Sequence, residues 1–180
     1  DFTDALPKTM TYSTSSFTEA TANDGSITAT ATVTLSNETF TGVNGSFISG
    51  VTFTNVPDGL TAVMKKSSDT TATLSFVGNA TEHENVNDIS TIGITWADAS
   101  FTQGNASVVS GANISTLAID FTDAPKSMSY DTNAFTESTA NDGSISTTAT
   151  ITLVNETFTG AINSVISDVT FANVPDGLTA

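Results

Sequence analysis

His83 is the one histidine in a chain of 180 residues, and it stands in Thr81-Glu82-His83-Glu84-Asn85. An imidazole between two carboxylates has two chemical uses, zinc ligand and general base. A structural zinc site needs about four nitrogen or sulfur donors, and the chain has no cysteine. A triad base needs a nucleophile and an orienting acid. No Gly-x-Ser-x-Gly, Walker loop or zincin helix occurs to supply them. His83 therefore reads as a solvated loop residue, and no catalytic residue is expected. Hard oxygen chemistry has more material, because 19 Asp and Glu face only 4 Lys and Arg. Calcium is the cofactor such ligands suit. Two groups are candidates: Asp1, Asp4, Asp120 and Asp123 near a junction, and the acidic loop Glu82, Glu84 and Asp88. Ala20 to Ala31 matches an EF-hand loop at its sixth and eighth positions, Gly25 and Ile27. Its first, third and twelfth positions are Ala20, Ala22 and Ala31, which cannot ligate. Asn23-Asp24-Gly25 is then a plain turn. Lys8 and Lys126 occupy the place an isopeptide lysine would take, and read as surface lysines near a linker.

Charge narrows the partners. The net charge is −15, arginine is absent, and the lysines are Lys8, Lys65, Lys66 and Lys126. Four scattered lysines build no phosphate groove, so nucleic acid is not expected. Anionic lipid would repel the chain, and no apolar run approaches the ~20 residues of a membrane span. The lack of cysteine fits large bacterial surface proteins better than small secreted ones, which usually need disulfides. With no initial Met and no signal-peptide pattern, the chain reads as an excerpt or a processed product.

The elements that position these residues recur. Residues 7–62 reappear at 125–180 with a constant offset of 118, and 40 of the 56 positions are identical. A unit of about 118 residues is the size of an independently cored domain rather than a solenoid repeat. The expected organisation is one complete repeat over 1–122, a linker near 122–126, and the first half of the next repeat over 123–180. Residues 63–119 lie between the two half-copies and could complete either one. The half left over would expose unpaired strand edges, which invite pairing with another chain.

Within a unit the pattern has period two. Ile27, Ala29, Ala31, Val33 and Leu35 alternate with Thr28, Thr30, Thr32 and Thr34, which predicts a half-buried strand with a threonine outer face. Similar alternation marks Val51-Phe53, Leu60-Met64, Ala72-Phe76, Ile92-Trp96 and Leu117-Phe121. Trp96 falls on the apolar side and reads as core rather than as a sugar platform. Ser and Thr together make up 57 residues. Threonine fills exposed strand faces by β propensity, so the Thr28–Thr34 rank is not taken as an ice-binding lattice. Asn23-Asp24-Gly25 is a tight-hairpin signal, and Pro57-Asp58-Gly59 and Ser67-Ser68-Asp69 are turn signals. About seven short strands predict an all-β antiparallel sandwich of immunoglobulin-like size, with a closed barrel as the alternative.

Phe17-Thr18-Glu19, Asn23-Asp24-Gly25-Ser26-Ile27 and Asn55-Val56-Pro57-Asp58-Gly59-Leu60-Thr61 resemble the tandem β-strand repeats of giant bacterial cell-surface and adhesin-type proteins. Gly78-Asn79-Ala80 and Asn87-Asp88-Ile89 fit the same pattern. The resemblance implies a surface location, an immunoglobulin-like or Calx-β-like Greek-key sandwich, and a spacer role, with calcium between domains in some relatives. The expected function is a structural repeat of an extracellular stalk, filament or adhesin. Its partners would be neighbouring repeats or copies of the same chain. The alternatives are a loop-mediated module for a surface glycan or other ligand, and an accessory domain of a secreted enzyme.

Overall fold

The computed structural model describes residues 6–179. Contacts divide the chain after Asp123 into two units. In the first, alternation does the building. β3 (Ala31–Ser36) buries Ala31, Val33 and Leu35 and exposes Thr32, Thr34 and Ser36. Its neighbours are β1 (Lys8–Tyr12), β5 (Leu60–Lys66), β6 (Thr71–Gly78) and the two-residue β8 (Val109–Ser110), in the order β5-β6-β3-β1-β8. A second sheet runs β2-β9-β7-β4, made of β2 (Ser16–Thr18), β9 (Ile114–Asp120), β7 (Ile89–Trp96) and β4 (Val51–Thr54). Met10, Leu35, Met64 and Leu74 of the first sheet share one core with Phe17, Ile92, Ile94 and Leu117 of the second. Each such side chain contributes roughly 1.5–3 kcal/mol by leaving water. Neither sheet closes on itself, so the architecture is all-β and layered, and the barrel alternative fails.

Three expectations change. The sheets are mixed rather than antiparallel, because β1 pairs β8 and β2 pairs β9 in parallel. The cause is a switch of sheet. Only residues 13–15 separate β1 in one layer from β2 in the other, and each then lies beside a late strand of its own sheet. The strand expected over 27–35 starts only at Ala31, and Ala29 is exposed. Its ladder partners, β1 and β6, reach residues 33–36 and 31–34. Alanine buries too little surface to extend a strand past its partners. The Asn23-Asp24-Gly25 turn is no hairpin, since β2 and β3 belong to different sheets. It closes a loop instead, with Ala20 N donating to Ser26 O at 2.8 Å and Asn23 N to Ala20 O at 2.9 Å. Gly25 is required there. Its φ is +79°, and a Cβ would stand 2.5 Å from Ala80 O.

Among its described residues the second unit has one ladder, β10 (Ser127–Tyr130) with β11 (Ile151–Val154), and an isolated bridge between Glu137 and Ile145. The pairing Ser127↔Val154 to Tyr130↔Ile151 reproduces Thr9↔Ser36 to Tyr12↔Val33 at the offset of 118. No helix among the described residues is long and apolar enough to cross a membrane.

Candidate functional site

Glu19 directly follows β2, and its backbone N–H extends the β2–β9 pairing by donating to Asp120 O at 2.9 Å. Its carboxylate is buried. Oε1 accepts from Gly25 N at 2.7 Å and lies 3.0 Å from His83 Nδ1. Oε2 accepts from Thr122 N at 3.0 Å, Thr122 Oγ1 at 3.3 Å and Asn23 Nδ2 at 3.4 Å. Asn23 Nδ2 also donates to Thr122 O. Burial by itself raises the pKa of Glu19. The donors Thr122 and Gly25 and the imidazole of His83 outweigh it and hold the carboxyl below its ordinary range. A carboxylate so fully occupied by protein donors is a structural acceptor. Two loops meet the chain at this end. Residues 19–25 bind Thr122, while Asp88 Oδ1 accepts from Phe121 N at 2.8 Å and Asn85 N donates to Asp123 Oδ1 at 2.9 Å.

His83 is thus not a free loop residue: its Nδ1 is buried against Glu19. Of the calcium candidates, Asp1 and Asp4 lie outside the described residues. Asp88 and Asp123 each take a backbone N–H, and Asp120 meets Glu19 through its carbonyl. Glu84 forms a capping box with Asn87 around the 3₁₀ turn Asn85–Asn87. Among the described residues no three of His, Cys, Asp and Glu converge as a metal cage would require.

Three more polar groups are built into the first unit. Glu38, its side chain shielded from solvent, accepts from Lys8 Nζ at 2.6 Å, Thr39 N at 2.9 Å and Gln103 N at 3.3 Å. Burial pushes its pKa up, and Lys8, Thr39 and Gln103 more than reverse this. Lys66 Nζ donates to Phe40 O at 2.9 Å and Gly42 O at 3.0 Å, and pairs with Asp69 Oδ1 at 2.8 Å. Tyr12 OH donates to Ala112 O at 2.8 Å and accepts from Trp96 Nε1 at 3.0 Å. Burial pushes that phenol up to about 12, against the pull of Trp96. Trp96 itself stacks on Phe40 with ring centroids 5.3 Å apart, in the core as expected.

Sequence reasoning missed Glu19, Glu38 and Lys66 as buried charges. For two of them a signal existed. Glu19 recurs as Glu137, and the Lys8–Glu38 pair recurs as Lys126–Glu156 with the same separation of 30. Lys66 has no counterpart in the 180 residues.

No family model matches the chain. No curated protein matches it either. Among solved structures, chitinase ChiW from Paenibacillus sp. str. FPU-7 aligns with the chain. Its structure is described as a bacterial cell-surface-expressed multi-modular enzyme machinery. The alignment covers 64% of this chain and 13% of that one, at 14% identity and a TM-score of 0.39. A likeness at that score carries no argument, so the functional reading rests on the geometry above.

Proposed function

We propose that the chain is a structural repeat of an extracellular, cell-surface stalk, filament or adhesin, and that its first unit is an immunoglobulin-like Greek-key bead that bears tension. One observation carries the reading: β2, near the start of the unit, lies parallel to β9 at its end, with Ser16↔Ala118, Phe17↔Ile119 and Thr18↔Asp120 opposed. When the ends of the unit are pulled apart, a parallel pair made of an early strand and the last strand, β2 and β9, is drawn from opposite ends. All its hydrogen bonds then load together in shear, whereas a hairpin opened from one end breaks them in turn. The Glu19–Thr122 bonds sit at the point where tension enters β9.

The test is forced unfolding of single chains held at both ends. A discrete force peak is expected, followed by release of an extension on the order of 400 Å for the chain between Lys8 and Phe121. Glu19→Gln should lower the peak. Smooth lengthening at low force with no peak would reject a load-bearing role.

A further inference from the structure

Residues 124–179 present to solvent the counterparts of side chains that the first unit buries in its core. Met128 is 53% exposed and Phe135 55%, where their counterparts Met10 and Phe17 are 4% and 1%. Tyr130, Phe135, Ile151 and Phe171 line an open concavity of about 620 Å³. We propose that this face is an acceptor for a second copy of the chain's own segment 63–121, an inference that rests on reading the chain as repeats.

The chain itself shows what covers such a face. In the first unit, β6 pairs β3, β7 pairs β4 and β9 pairs β2, all supplied by 63–121. That segment places the Phe76 ring 5.0 Å from Phe17 and Trp96 Nε1 3.0 Å from Tyr12 OH. The acceptor is set in advance at the counterparts of β1 and β3, while those of β2 and β4, residues 134–136 and 169–172, are not yet strands. β10 and β11 hold the register of β1 and β3, and Glu137 accepts from Gly143 N at 2.7 Å as Glu19 does from Gly25 N at 2.7 Å. Glu137 stands where a second His83 would meet it.

The chain's single 63–121 segment is matched to the first half. At Gly50 a Cβ would lie 3.0 Å from Ala97 Cβ and 3.1 Å from Ser100 Oγ. The second half carries Asp168 at that place, with φ +65°. Exchange between identical chains closes no extra face, because each brings two acceptors and one donor. The occupant is therefore an additional copy of the segment.

The experiment compares the 180-residue chain with the same chain carrying a second copy of 63–121 after Ala180. Amide hydrogen exchange at 127–130 and 151–154 is expected to slow by roughly a hundredfold or more in the extended chain. Asp168→Gly should slow it further, by about tenfold, by removing the side chain that crowds the incoming copy. An appended copy carrying Leu74→Asp and Ile94→Asp should leave exchange fast. Unchanged exchange at 151–154 in the extended chain, with the amides of β3 still protected, would overturn the proposal while leaving the first unit and its tensile role intact. Dimerisation of the unextended chain that protects 151–154 would overturn it as well, by making the other chain's exposed face the occupant.

Discussion

Two stretches of this chain, 7–62 and 125–180, share 40 of 56 residues, yet the first contributes to a closed core and the described part of the second, 125–179, does not. What the copies have in common is local. Asn37 Nδ2 reaches Pro7 O at 2.8 Å, and Asn155 Nδ2 reaches Pro125 O at 2.8 Å. Leu60 N donates to Pro57 O and Leu178 N to Pro175 O, both at 3.1 Å. The ladders β1–β3 and β10–β11 have one register. What differs is every contact that 63–121 provides. Lys8–Glu38 is a shielded pair, while Lys126–Glu156, of equal length within 0.1 Å, stands in solvent. Turns and short ladders thus form from the half-sequence alone, while burial, and with it most of the stability, needs the other half.

The contrast is most open to attack in the core. Phe17→Ala should cost about 3–5 kcal/mol in urea unfolding of the first unit, whereas Phe135→Ala should leave that transition in place. Equal losses would mean the second copy is already packed. Next in size is the ion pair. Lys8→Met orphans the buried Glu38 carboxylate and should cost roughly 3 kcal/mol. Lys126→Met, at an exposed pair, should not move the thermal midpoint. A smaller effect is expected at the matched glycines. Gly25→Ala forces a Cβ against Ala80 O and should cost about 2 kcal/mol. Gly143, at φ +82° with nothing within 4 Å of a Cβ, exacts only the backbone term. Gly25→Ala and Gly143→Ala chains with the same midpoint would show that the close approach at Ala80 is not what selects glycine.

The mildest test is acid. Glu19 and Glu38 have folded pKa values below the ordinary carboxylate value. A depressed pKa contributes stability that is complete above the unfolded value of about 4.3 and is lost as pH falls through the folded value. Denaturant midpoints of the first unit should be flat from neutral pH to about 5, then fall with acid. In the double variant Glu19→Gln, Glu38→Gln the fall should be shallower. A midpoint that rises on acidification would contradict the assignment of both carboxylates.

Much of the fold was legible in the residues. Val33 and Leu35, Leu74 and Phe76, and Ile92, Ile94 and Trp96 are buried as their alternation predicts. Pro57-Asp58-Gly59 makes its turn, and Ser67-Ser68-Asp69 links β5 to β6. Ala29 failed, because alanine is too small for its place in an alternating run to say which way it faces. The sequence around His83 suggests a solvated side chain, because nothing nearby in the chain announces a carboxylate 64 residues earlier. The polar cluster around Glu19 was hidden for the same reason: Glu19 and Thr122 are 103 residues apart.

The sequence by itself determined the repeat, the strand periodicity, the turns and the exclusion of a cysteine-based site. Each of these is written in residue types a few positions apart or in direct self-similarity. Only the tertiary structure decided that β1 and β2 sit in different sheets, that two pairings are parallel, which charges are buried and which half-copy 63–121 covers. Those outcomes depend on surfaces meeting across 65, 84 and 103 residues of chain. A period-two pattern says that a strand has an apolar face and leaves open what will lie against it.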